Sequence, residues 1–259
     1  KFEIFLMHDA EDVIHPLSLL YYNYLMPKID FIQVPVFPFP GRWNDFTTGV
    51  YMDEFAENHT KQMRVRELVA EVIPSAGVGT ALSRRCLDYI AAQTDNQVFD
   101  ISSVTEDYLM GLRLQNFPGK KIFLQQEVRL DPALKSKAPV ATREYFPPTF
   151  KASIRQKSRW IMGISLQGCS YYVCKGKLGT NYFLFRDRKG AFSNLVVGLG
   201  YLLILFWLVG MLINCCTDLY LPPLIEAGEI WAWLVYLVLF IFLWRIGNRV
   251  YASWKIYGP

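Results

Sequence analysis

Apolar positions recur along this chain in more than one rhythm. Residues 2–7, FEIFLM, and 31–39, FIQVPVFPF, are mainly apolar runs of strand length, and the prolines of the second suit a strand end or a sheet edge. Between them HPLSLLYYNYLM, 15–26, reads as a short helix. Residues 47–72 have Val50, Phe55, Met63, Leu68 and Val69 among their apolar positions, a spacing that predicts a packed helix with a solvated charged face. IPSAGVGTALSRR, 73–85, predicts a glycine turn entering a helix near Thr80; such glycines usually form a plain loop, with a phosphate cradle as the alternative. FDISSVTEDYLMGLRLQ, 99–115, predicts a helix opening at Thr105, with Ser102, Ser103 or Thr105 to cap it. To about residue 150 the pattern is mixed α/β.

Further on the rhythm changes. Residues 195–213 contain no ionisable side chain over nineteen positions, enough helix to cross an apolar layer of roughly 30 Å. Residues 230–244 form a second, shorter run that Ala227, Gly228, Ile246 and Gly247 can extend, with Glu229 and Arg245 near the interfaces. Together they predict two membrane helices rather than two buried soluble ones. Lys175, Lys177, Arg186, Arg188 and Lys189 precede the first, Arg245, Arg249 and Lys255 follow the second, and the loop 214–229 has neither Lys nor Arg. Positive residues gather on the cytoplasmic side, so both flanks are expected there and the loop on the far side.

The net charge of +4 is explained by those flanks. With no basic stripe interleaved with aromatics, a nucleic-acid partner is not expected. Cys86, Cys169, Cys174, Cys215 and Cys216 form no CxxC pair, and reduced thiols are the expectation. His8, His15 and His59 are scattered, so any metal should be a hard cation held by oxygens. The opening KFEIFLM has no initiator Met, no signal-peptide shape and no preceding helix, and is expected to enter in mid-strand.

Three polar clusters interrupt these patterns. HDAED, 8–12, places acids at the end of a strand, where ligands of α/β sheets bind. Asp9 and Glu11 can lean toward one divalent ion while Asp12 alternates away or caps the next helix, and capping alone accounts for the pentapeptide equally well. TED, 105–107, opens a helix where acids favour the dipole. In IRQKSRWIMG, Gln156, Arg159 and Trp160 match QxxRW, expected to give one face of a helix an amide, a guanidinium that can fork onto a pyrophosphate and a ring that can stack on a sugar. The segment 151–174 is either an amphipathic helix in a membrane interface or a buried core helix.

DAED, TED and QxxRW, in that order and ahead of paired membrane helices, resemble the catalytic half of membrane-bound family 2 glycosyltransferases, the group of cellulose and hyaluronan synthases. The resemblance implies an α/β fold: the C-terminal half of a GT-A domain over 1–150, lacking the half that holds uracil and ribose, then a QxxRW helix and interfacial segment over 151–190, then two transmembrane helices over 191–259. It implies an inverting transfer from a UDP-sugar to a growing glycan, with single addition to a lipid acceptor, or a receptor with a degenerate transferase fold, as alternatives. By the same resemblance Asp9 and Glu11, with Asp12 as rival, hold Mg²⁺ or Mn²⁺. Asp107, with Glu106 beside it, is the general base. Gln156, Arg159, Trp160 and Thr105 bind donor or acceptor, and Arg84 and Arg85 are weaker candidates for phosphate contact. The expected setting is a bacterial inner membrane, multi-pass, with the catalytic domain cytoplasmic and an outer-membrane or export partner conceivable.

Overall fold

Chain order and sheet order differ in this protein. The computed structural model describes residues 2–70, 72–129, 137–168, 177–217, 228 and 230–258. Its strands are β1 (Ile4–Met7), β2 (Val13–Ile14), β3 (Phe31–Gln33), β4 (Val36–Pro38), β5 (Thr80–Ser83), β6 (Lys121–Phe123), β7 (Glu127–Val128), β8 (Ala138–Pro139) and β9 (Thr142–Glu144). Its helices are α1 (Ser18–Leu25), α2 (Phe46–Glu57), α3 (Met63–Ala70), α4 (Arg84–Gln93), α5 (Glu106–Arg113), α6 (Phe150–Trp160), α7 (Leu178–Arg188), α8 (Gly190–Cys216) and α9 (Ile230–Tyr257). One sheet has the order β1-β5-β3-β6, a second β2-β9-β4, and β7 pairs with β8.

The run 31–39 forms two strands rather than one. Pro35 has no N–H to carry a ladder through it, so β3 joins the first sheet and β4 the edge of the second. FEIFLM is an edge strand, with Leu6 38% exposed, and not the interior strand its composition suggests. β5 runs antiparallel to β1 and to β3, with Met7 and Gln33 both opposite Thr80. The ends of β1 and β3 and the start of β5 therefore meet at one edge, where HDAED and the glycine turn emerge. Alternation along the strands covers both faces of the sheet: Phe31 and Leu82 pack with Ile90, Met110 and Phe123, while Ile32 and Ala81 pack with Tyr22 of α1 and Met26 just after it.

The helix expected near Thr80 starts four residues later. Thr80–Ser83 are drawn into β5 between two partner strands, and Ser83 caps α4 by accepting from the Cys86 N–H at 3.3 Å. The segment 47–72 is helical, but a π turn, Asn58–Gln62, separates α2 from α3. Its extra residue rotates the buried stripe, so Tyr51, Ala56, His59, Met63, Arg66 and Ala70 face inward while Val50, Leu68 and Val69 are exposed.

Two compact units result, residues 1–188 with 249–259, and residues 189–248. The last turns of α9 belong to the α/β unit: Arg249 pairs with Glu57 at 3.0 Å, Ser253 donates to Asp53 at 2.6 Å and the Tyr257 hydroxyl donates to the Pro38 carbonyl at 3.0 Å. The other unit contains α8 and most of α9, each long and apolar enough to cross a membrane. Cys86, Cys215 and Cys216 are free. Cys169, Cys174, Lys175 and nearly all of the Lys- and Arg-free loop lie outside the described residues.

Candidate active site

HDAED forms a turn held by its own third acid, Asp12. The Asp12 carboxylate accepts from the Asp9 N–H at 3.0 Å and lies 3.1 Å from His8 Nδ1, and the Asp12 N–H donates to the Asp9 carbonyl. Asp12 thus caps this turn and not α1, which begins at Ser18. Its side chain is fully buried, and its Oδ1 has no hydrogen-bond partner. Asp9 and Glu11 are exposed.

A further acid comes from β9. Val13 is opposite Arg143 in an antiparallel ladder, so one step further Asp12 is opposite Glu144. Burial, then the charges of Asp12, Asp9 and Glu11, push the Glu144 carboxyl up to about 8. Asp9 is also raised, by burial and then by Asp12 and Glu11, with His8 opposing. Nothing in the local sequence of VATREY marks Glu144; only the pairing of β9 with β2 brings it here.

The glycine turn is shaped by Gln33, a lone polar residue in an apolar strand. Its amide donates to the Val34 and Val78 carbonyls and accepts from Ala76 N–H and the Thr80 hydroxyl, at 2.7–2.9 Å. Gly77 takes φ +82°, and a Cβ there would stand 2.8 Å from Asp107 Oδ2. The turn and the last residue of TED are therefore in direct apposition, a close approach that needs glycine. Burial foremost, then Glu106 and Asp9, raise the Asp107 carboxyl above its ordinary range, so Asp107 and HDAED belong to one electrostatic cluster. Glu106 itself is exposed.

QxxRW reaches TED through the residues that follow it. A π turn, Ile161–Gln167, continues α6; Gly163 packs on Thr105, where a Cβ would clash with the hydroxyl at 2.1 Å, and Gln167 accepts from the Val104 N–H at 3.0 Å. The three motif residues do not share one face. Gln156 accepts from the Tyr51 hydroxyl at 2.7 Å, and Trp160 packs against Tyr51, Phe55 and Phe146 with ring centroids 6.1–6.4 Å away, whereas Arg159 is exposed. The side of α6 holding Gln156 and Trp160 is thus committed to α2.

The charge of Asp9 is felt at both Asp107 and Glu144, and those of Glu11 and Asp12 at Glu144. Thr105 is buried under Gly163. Arg84 is not brought to this corner: it sits beyond the far end of β5, bonded to the Phe2 carbonyl at 2.9 Å and stacked over Phe5. Arg85 is likewise engaged, with Asp30 at 3.5 Å. A separate groove of about 610 Å³, lined by Trp43, Phe46, Val50 and Trp254 among others, contains none of the expected site residues. Among the described residues no three His, Cys, Asp or Glu groups converge closely enough to hold an ion. The donors that suit a hard cation are the exposed carboxylates of Asp9 and Glu11 and the orphaned, buried Oδ1 of Asp12.

Comparison of the whole chain with known proteins gives its family. Residues 4–246 match the family described as glycosyl transferase family group 2, and the chain belongs to that family. It is similar to bacteriophage adsorption protein B of Escherichia coli strain K12 and bacteriophage N4 adsorption protein B of Escherichia coli O157:H7, each 45% identical over 212 residues, covering 78% of this chain and 28% of the relative. The chain therefore spans under a third of the length of these curated relatives.

Proposed function

We propose that this chain carries the chemical centre of an inverting, membrane-bound glycosyltransferase that moves a sugar from a UDP-sugar to a growing glycan. The observation that supports it is the setting of Asp107: a half-buried carboxyl raised above its ordinary range, laid on a glycine turn and within reach of the charges of Glu106 and Asp9. A hydroxyl attacks poorly until a positioned base takes its proton, and a base works best when its pKa is close to the working pH. Asp107 takes the proton of the acceptor hydroxyl as the new bond to the anomeric carbon forms and the bond to the diphosphate breaks, so configuration inverts. Asp9 and Glu11, with Asp12 as the rival second ligand, would hold Mg²⁺ or Mn²⁺, which when bound would neutralise charge on the leaving diphosphate. Arg159, the exposed member of its motif, would meet anionic substrate groups.

The setting is a membrane. The positive charges flanking α8 and α9, and their absence from the loop between, support both flanks of the pair lying on one side. We place that side in the cytoplasm of a bacterium, where nucleotide sugars are made.

The test is full-length protein in membranes given a panel of labelled UDP-sugars, parent beside Asp107→Asn. The parent is expected to transfer one sugar, and Asp107→Asn to lower transfer about a hundredfold or more with donor affinity kept. Parental rates in Asp107→Asn would show that Asp107 is only a helix-start acid. A second reading, a receptor with an inactive transferase fold, is favoured by the relatives' names, which refer to bacteriophage adsorption. Under it Asp107→Asn leaves adsorption intact and no UDP-sugar is consumed by the parent.

A further inference from the structure

We propose that Asp187, at the end of α7, is a positioning residue that fixes where Asp107 stands, acting through Tyr108 and the buried Arg66. The inference rests on Asp107 being the base.

The start of α5 needs support from outside. Thr105 is its N-cap residue yet makes no side-chain capping bond, and the Thr105 hydroxyl is buried without a partner. A helix start left in this condition is poorly fixed by its own sequence. Next to Asp107 stands Tyr108, whose buried hydroxyl donates to Asp187 Oδ2 at 2.5 Å. Arg66 of α3 reaches the same oxygen at 2.8 Å, with its guanidinium over the rings of Tyr108 and Phe183, 5.9 and 5.5 Å from their centroids. From the turn after α6, Ser165 donates to the Asp187 carbonyl at 2.8 Å. One residue thus ties together α3, α5, α7 and the element that follows QxxRW.

The chemistry makes this tie stiff. A buried guanidinium requires a counter-charge, and hydrogen bonds to ionised groups are shorter and stronger than neutral ones. α7 cannot drift away from α3 to relax it, because Gly179 lies where a Cβ would be 2.2 Å from the Val69 carbonyl, and the Thr180 hydroxyl bonds to the Ala70 carbonyl at 2.9 Å. Asp107 and Tyr108 are consecutive on one short helix, so a rotation of α5 that frees Tyr108 must also swing Asp107 off Gly77. A displacement of about 1 Å at a reacting group can cost on the order of a hundredfold in rate. In sequence Asp187 sits in FRDRKG, among the basic residues just before α8, and looks like part of a solvated flank.

The experiment uses full-length protein in membranes, with Tyr108→Phe, Asp187→Asn and their combination. Three quantities are read: transfer kcat, donor KM, and hydrogen exchange of the amides of residues 105–109. Each single variant is expected to lower kcat about tenfold, leave donor KM within about twofold, and speed exchange at the start of α5; the double variant should be no worse than the worse single, since both act through one contact. Asp187→Asn keeps the volume and an acceptor, and Tyr108→Phe keeps the ring over Arg66, so the protein has an unaltered packing volume to fold around. Unchanged kcat in Tyr108→Phe, with or without faster exchange, overturns the proposal, as does a uniform rise in exchange across the unit, which marks a role in stability alone. If the parent transfers no sugar at all, the proposed function fails first; exchange confined to the start of α5 would then still support the clamp, and unchanged exchange would overturn it.

Discussion

Two carboxyl-bearing regions of the α/β unit are balanced in opposite ways. Where helices meet, every acid named here has a cation or donor: Asp187 has Arg66, Glu54 has Lys157 at 2.7 Å and Glu57 has Arg249 at 3.0 Å. At the strand ends, Asp9 and Glu144 are raised in part by neighbouring carboxylates, and Asp107 by Glu106 and Asp9. A fold can satisfy its own charges, as the first region shows, and the repulsion left in the second is what the proposed cation would relieve.

The largest expected effect comes from removing an acid that serves only the outside partner. Asp9→Ala should abolish transfer and divalent-dependent UDP binding, while thermal unfolding stays at or above the parental temperature because a repulsion has gone. Asp12→Ala should cost less transfer and more stability, because His8 and the Asp9 N–H lose their acceptor. Calorimetry with and without Mg²⁺, beside a transfer assay, reads both. If Asp12→Ala is the more damaging to transfer, Asp12 and not Asp9 is the principal ligand.

What was legible in the sequence follows the same division. HDAED, TED and QxxRW are local strings whose residue types announce their chemistry. Their neighbours come from long-range pairing: Glu144 through β9, Tyr51 through α2, and Asp187 through an ion pair 121 positions from Arg66 in number, the difference between 187 and 66. Thr80–Leu82 look helical by composition, yet β1 and β3 hold them as a strand, which moves Arg84 to the far end of β5. Within 151–174, α6 packs its Gln156 and Trp160 side on α2 and leaves Ile154 exposed, as it does Phe150 at its start.

Trp160 tests the satisfied region. Its ring completes a cluster with Tyr51, Phe55 and Phe146, so Trp160→Ala should first lower stability, by about 2 kcal/mol for a partly exposed ring. Trp160→Phe should recover most of that. A fall in acceptor affinity that persists in Trp160→Phe would show that the indole also touches sugar; recovery of both together would confine Trp160 to packing. Unfolding temperature and acceptor KM separate the two.

The smallest effect is a pH dependence with two limbs of different origin. Glu144 binds its proton up to about pH 8 in the folded chain but loses it near its ordinary value once unfolded, so its contribution to stability declines as pH rises through that window. Asp9 and Asp107, also raised, act in the same direction at the lower end. His59 acts in the opposite direction: burial lowers it to about 3, its Nδ1 accepting from the Val36 N–H, so the unfolded chain takes up a proton below about pH 6.5 that the folded chain refuses. Between pH 6.5 and 8 the histidine is silent and Glu144 dominates, with a limit of about 1.4 kcal/mol per pH unit for one proton. Without divalent cations the parent should therefore lose several degrees of unfolding temperature across that interval, and Glu144→Gln should flatten the loss while leaving the acid limb in place. Saturating Mg²⁺ should flatten it in the parent as well, because a cation among the acids favours the ionised carboxyl. A slope that survives both treatments would remove Glu144 from the cluster and leave the repulsion to HDAED and Asp107 alone.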